Sequence, residues 1–178
     1  MRKAQNVGQM DKNITIKQAE ECDIPIVEGI LLDAVNWLNE MGQPLWGAGE
    51  VAWEALSESF KAGDFYIACV DGIPSGCMAL VDYDPLFWPD VNKGEALFIH
   101  KLAVKKAARK SGAADALINY FKQQGAERGA KTLRLDTHAL RPRLRAFYER
   151  HGFVCVREKT YESDRHTAFY VHYLPAPK

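Results

Sequence analysis

Leu102-Ala103-Val104 closes an apolar run, and the basic stretch Lys105, Lys106, Arg109, Lys110 leads from it into Ser111-Gly112-Ala113-Ala114. The order reads as a buried strand, a short loop and the opening of a helix. The first N–H groups of a helix lack intrahelical acceptors, and the helix dipole places partial positive charge there. Small residues at Gly112, Ala113 and Ala114 let a pyrophosphate approach the backbone, with cations around it. The same pattern also serves simple packing at a strand–helix junction, and basic loops are commonly solvated surface, so the fragment alone leaves these readings open. The glycine spacing excludes two other phosphate sites. The G-x-x-x-x-G-K-[ST] pattern is absent, and one glycine stands where a dinucleotide fingerprint needs three.

Such a turn has to be held by a framework, and the periodicity supplies one. Ile14–Lys17 alternates like a strand. Glu20–Met41 is a helix with Pro25 in its first turn and an apolar stripe from Ile26 to Leu38. A Gly/Pro loop leads to a second helix over Glu50–Ala62, closed by Gly63. Strands follow at Phe65–Val70 and Gly76–Val81, joined by the hairpin signal Asp71-Gly72. Asp84–Gly94 is a loop, and Ala96–Val104 a long apolar strand. Helix Ser111–Arg128, strand Thr132–Thr137, helix Pro142–His151 and strands Phe153–Glu158 and Thr167–Leu174 complete the chain. The strand–helix–strand unit around Ser111–Arg128 makes its two strands parallel, and the flanking hairpins are antiparallel. The expected class is α+β: a mixed, mostly antiparallel sheet of about seven strands with helices on both faces.

Bulk properties narrow the function. With 178 residues, 47% of them hydrophobic and 26% charged, the chain can bury a core. Residues 1–13 read as a polar, flexible leader and residues 14–178 as one domain. No apolar stretch approaches the roughly 20 residues that span a bilayer, and no secretory h-region is present, so the expected location is cytoplasmic, without a membrane partner. Lys plus Arg (23) balances Asp plus Glu (23), which disfavours a nucleic-acid partner. Cys22, Cys69, Cys77 and Cys155 form no C-x-x-C pair and have no His at ligand spacing, so they read as reduced structural thiols and no metal is expected.

Arg109-Lys110-Ser111-Gly112-Ala113-Ala114 resembles the R/Q-x-x-G-x-G/A turn of the GNAT N-acetyltransferases, which binds the pyrophosphate of acetyl-CoA. Ala146-Phe147-Tyr148-Glu149-Arg150-His151-Gly152-Phe153 is similar to that superfamily's terminal (L/F)-Y-x-x-x-G-F signature. His100-Lys101-Leu102-Ala103-Val104, Leu133-Arg134-Leu135-Asp136 and Leu144-Arg145-Ala146-Phe147-Tyr148 resemble further runs of bacterial small-molecule-type members, and the likeness spans about residues 14 to 174. There are departures: Lys106 replaces a common Pro, Lys110 a usual Gly, Ala114 the last Gly, and Arg141 an Asn that contacts CoA in many members.

The resemblance implies acetyl transfer from acetyl-CoA, as co-substrate, to a small primary amine by direct attack in a ternary complex. The alternatives are a non-catalytic acyl-CoA sensor, or an enzyme acting on a peptide or protein amine. A homodimer is the family default. Arg109, Lys110, Ser111, Gly112, Ala113 and Ala114 are the implied phosphate turn. Leu102, Ala103 and Val104 offer backbone to the pantetheine arm where the fourth strand splays from the fifth, and Arg141 is placed to meet a phosphate. Tyr148 is the implied general acid: a phenol near pKa 10 suits reprotonation of a thiolate near 8.5. Glu95 and His100, at the two ends of the fourth strand, and Asp136 are the candidate bases. The acceptor walls are expected from the first helices and the third-to-fourth-strand loop, with Trp37, Trp46 and Trp88 as substrate contacts beside acids such as Glu50, Asp82 and Asp84.

Overall fold

The computed structural model describes residues 12–162 and 164–175, so the leader expected over residues 1–13 lies almost entirely outside the described residues. In chain order the elements are β1 (Ile14–Gln18), α1 (Ile24–Glu40), α2 (Trp53–Leu56), β2 (Phe65–Val70), β3 (Ile73–Val81), β4 (Ala96–Val104), α3 (Ala113–Glu127), β5 (Thr132–His138), α4 (Pro142–Arg150), β6 (Val154–Thr160) and β7 (His166–Tyr173). The strands form one sheet in the order β1-β2-β3-β4-β5-β7-β6. Among the described residues β4–β5 is the one parallel pair; the other pairs are antiparallel. This is the mixed α+β sheet expected from the patterning. No helix of the described residues is long and apolar enough to cross a membrane.

Local chemistry accounts for most elements. Asp71 (φ 51°) and Gly72 (φ 80°) both take positive φ, the requirement of a type I′ hairpin, and so join β2 to β3. On α1, Val27, Ile30, Leu31, Ala34 and Val35 form the buried stripe. Side-chain alternation sends Phe65, Ile67, Cys77 and Ala79 toward α1, and Tyr66, Ala68, Met78, Leu80, Leu97 and Ile99 toward α3. A third cluster, Trp88, Val91, Ala96, Phe98, Phe169 and Val171, fills the space beneath the β3–β4 loop. Gly125 lets α3 lie close on β5: a Cβ there falls 2.2 Å from Leu133 Cδ2.

One predicted element is much shorter than expected. In place of a helix over Glu50–Ala62 the chain has a 3₁₀ turn at Ala48–Val51 and then the single turn of α2. Ala52 between them is extended, with ψ 146°. The Trp53 N–H donates to Glu28 Oε1 at 2.6 Å, so α1 fixes the segment by a tertiary bond that overrides the helical pattern.

The irregularity that matters most lies in β4. Its register against β3 jumps from Cys77↔Ala103 to Ala79↔His100, and Lys101 has φ 52°, the signature of a bulge. Against β5 it pairs only from Ala96↔Thr132 to Phe98↔Arg134. Beyond Phe98 the strands part, while β5 stays paired with β7 as far as His138.

Candidate active site

The parting of β4 from β5 opens a cleft of about 950 Å³. Trp37, Leu38 and the Met41–Trp46 loop wall one side, Arg141, Leu144 and Phe147 the other, and Leu102, Ala103 and Val104 lie at its base. The β3-facing edge of that segment is paired through Cys77↔Ala103 and Gly76↔Val104. Its other edge faces the gap, where an extended chain of amides can add to it as a strand would.

At one end of this cleft stands the turn into α3. Gly112 (φ 91°) is the N-cap, and Lys110 (φ 63°) sits in the left-handed region where the family usually has glycine. Ser111 Oγ accepts the Ala113 N–H at 3.2 Å. Among the described residues, the N–H groups of Lys110, Gly112, Ala114 and Asp115 find no acceptor. Unpaired amides at and just before a helix start are groups that can hold an anion. The preceding loop is fastened to α1: Lys106 N–H donates to Asp33 Oδ2 at 2.7 Å, Lys106 Nζ pairs with Glu40 Oε2 at 2.6 Å, and the Arg109 guanidinium lies 3.9 Å from the Trp37 ring centroid. Arg109 still lines the cleft. The Asp115 carboxylate, in the first turn of α3, is turned to Arg150 (2.7 Å) and His151 (2.9 Å) and away from that role.

At the apex of the gap, Asp84 from the β3–β4 loop, His100 from β4 and Asp136 from β5 bring their ligand atoms within 4.8 Å of one another, close enough to surround one small cation. Their side chains are 8%, 19% and 9% exposed. Asp84 Oδ1 accepts the Phe87 N–H at 3.2 Å. Its Oδ2 is buried, lies 3.4 Å from His100 Nε2 and has no hydrogen-bond partner among the described residues. Burial pushes the His100 pKa below the usual imidazole value, with Asp84 and Asp136 pulling it back up. Burial likewise raises the Asp136 carboxyl, opposed by His100 and Arg165. The phenol of Tyr148, buried from the α4 side of the sheet, is raised by burial and then by the charge of Asp136.

The predicted residues divide accordingly. Leu102, Ala103, Val104 and Arg109 line the cleft together with Trp37, Trp46 and Arg141. His100 and Asp136 meet at its apex, and His100 lies within β4 at the bulge, not at the strand's end. Glu95 does not join them. It precedes β4, its carboxylate held by Lys131 (2.9 Å) and Asn92 (3.1 Å), about 16 Å along the strand from His100; the Lys131 hydrogen bond leads the lowering of its pKa. Trp88, expected in the acceptor pocket, is only 6% exposed and packs as core against Phe98 and Phe169. Trp37 lies beneath the Arg109 guanidinium in the cleft wall. Arg141 Nη2 donates to the carbonyls of Gln43 (2.9 Å) and Pro44, a bridge from the start of α4 to the α1–α2 loop. In the sequence Asp84 is one of several loop acids; its burial alone distinguishes it from Asp82 and Asp90.

A sheet splayed beside a bulge, above a helix start with open amides, is the architecture of an acyl-CoA-dependent N-acyltransferase. The model of the Acetyltransferase (GNAT) family matches residues 31–153, more than half of the chain. The chain belongs to the GNAT family of acetyltransferases. No curated protein matches it in sequence. Among solved structures it is similar to a GNAT-family acetyltransferase from Listeria monocytogenes, at TM-score 0.70 and 19% identity over 90% of this chain and 95% of that one. It is also similar to the ribosomal-protein-S18-alanine N-acetyltransferase from Escherichia coli (TM-score 0.68, 16% identity, 93% of this chain and 97% of that one). A third is N-acetylglutamate synthase from Neisseria gonorrhoeae, complexed with coenzyme A and N-acetyl-glutamate (TM-score 0.66, 20% identity, 92% of this chain and 35% of that one).

Proposed function

We propose that this chain transfers an acetyl group from acetyl-CoA to the primary amine of a small molecule, by direct attack with both substrates bound. The observation that carries the reading is the free edge of Leu102–Val104, running from the open amides of Lys110, Gly112 and Ala114 toward His100. Those amides suit a pyrophosphate, and the free edge suits the amide-bearing pantetheine arm. A thioester held this way reaches the strand gap near the bulge, and supplies an acyl group already activated toward amines.

The chain's own groups then suit the two proton transfers. His100, neutral at pH 7 because burial lowers its pKa, accepts a proton from the incoming ammonium, and Asp84 and Asp136 favour the imidazolium that forms. Tyr148 keeps its proton because burial raises its pKa; that also makes it a weaker acid than a free phenol, so it passes a proton to the departing thiolate only as a relay for the one the attacking nitrogen sheds.

The acceptor side favours a small molecule over a peptide. Arg157 Nη2 donates to the Phe87 carbonyl at 2.8 Å, the Arg165 guanidinium lies 5.2 Å from the Phe87 ring centroid, and Phe87 meets Tyr161 edge-on. These contacts tie the β3–β4 loop to the β6–β7 hairpin and roof the region where an extended peptide would have to lie. Calorimetry with acetyl-CoA, followed by thiol release across a panel of amines, tests the proposal. Micromolar binding and amine-dependent thiol release are expected. Folded protein that does not bind acetyl-CoA sinks it.

A further inference from the structure

The apex cluster has two cations beside its two carboxylates. Lys101, the bulge residue, is half-buried with positive φ, and its ammonium lies 5.0 Å from the Trp46 ring centroid. Among the described residues it has no carboxylate within ion-pair distance. Glu50, the acid nearest in its electrostatic surroundings, instead accepts the Gly47 N–H at 2.6 Å. Arg165, from the β6–β7 connection, reaches Asp136 Oδ2 through one long 3.4 Å contact and lies near enough to repel Lys101.

A half-buried cation without a counter-ion carries an uncompensated desolvation cost, and a guanidinium with one loose contact has most of its donor fork free. Both deficits are relieved by the same thing, a carboxylate placed between them. On the other side of the site, the buried Asp84 Oδ2 lacks a donor, and Asp136 and His100 stand beside it. That deficit is relieved by an ammonium. A single small molecule carrying both groups a few ångströms apart satisfies the whole cluster.

We propose that the acceptor is a zwitterion, a free amino acid or a close analogue, with its ammonium among Asp84, His100 and Asp136 and its carboxylate between Lys101 and Arg165. This rests on the acetyltransferase reading above and names the substrate class. In the step, His100 first takes the ammonium proton; the neutral amine then attacks the thioester carbonyl, a C–N bond forms, the C–S bond breaks, and the second proton shed by the attacking nitrogen passes through Tyr148 to the thiolate, which leaves as CoA thiol. The carboxylate takes no part in bond making; it sets which amines are held there.

The test measures kcat/KM by thiol release for free L-amino acids, their carboxamides and the corresponding decarboxylated amines. An advantage on the order of 100-fold for free amino acids over both analogues is expected, the size of one lost charge-assisted contact pair. In Lys101→Met and Arg165→Gln that advantage shrinks at least about tenfold, mainly through KM, and Lys101→Arg restores part of it. Equal or better turnover of decarboxylated amines or carboxamides overturns the zwitterion proposal and leaves acetyl transfer standing. Acetyl-CoA binding with turnover of none of the three classes overturns both.

Discussion

His100 Nε2 lies 3.4 Å from Asp84 Oδ2, and the two side chains come from a strand bulge and from the loop that folds back over it. Asp84 stabilises the protonated imidazole, while burial opposes it. Removing the Asp84 charge therefore lowers the His100 pKa further. In Asp84→Asn the acid limb of the kcat/KM–pH profile shifts to lower pH, with the plateau rate also reduced. A merely structural role for Asp84 leaves the limb in place. In His100→Gln the limb disappears and kcat falls by roughly 10²–10⁴-fold.

The turn into α3 stores backbone strain in one residue and avoids it in another. Lys110 at φ 63° occupies a region that costs a non-glycine residue about 1 kcal/mol. Lys110→Gly relieves this, so its urea midpoint is at or above that of the parent. Gly112→Ala places a Cβ at φ 91°, 3.4 Å from Ile14 Cδ1. It destabilises by about 1–2 kcal/mol and weakens CoA binding in calorimetry, because the cradle amides turn with the strained residue.

Gly125 is required by packing, not by conformation. Any Cβ there meets the fully buried Leu133, with Leu174 Cδ1 at 3.1 Å behind it. Gly125→Ala therefore costs about 1–3 kcal/mol in denaturant unfolding, and adding Leu133→Val recovers part of the loss. Additive losses in the double variant contradict this contact.

Arg141 spans the cleft to Gln43 and Pro44. In Arg141→Ala the α1–α2 loop loses this tie, and amide exchange over residues 42–47 accelerates in the free protein. Unchanged exchange there shows that the loop is held by its other contacts.

Much of the scaffold was legible from local pattern. β2 and β4 occupy the residues that alternation and apolar runs assign them, Asp71-Gly72 turns as its dipeptide predicts, and the small residues after Val104 do open a helix. Each of these is decided by neighbours a few positions away. α2 is far shorter than its pattern predicts because a bond to Glu28 decides where that backbone goes. Trp88 is core and not acceptor wall because its loop folds over Phe98 and Phe169, which no local pattern shows.

Local pattern was enough for the order of strands and helices along the chain, the small-residue turn into α3 and the family. Tertiary structure alone decided that β4 leaves β5 after Phe98, that Asp84 and not Glu95 completes the cluster with His100, and that the β3–β4 loop is roofed by Arg157. The physical reason is range. Propensity and periodicity act over a turn or a strand, but the apex cluster needs groups from a loop and two strands. The bulge that aims them is at a lysine in left-handed geometry, a residue type that gives no local signal for that conformation.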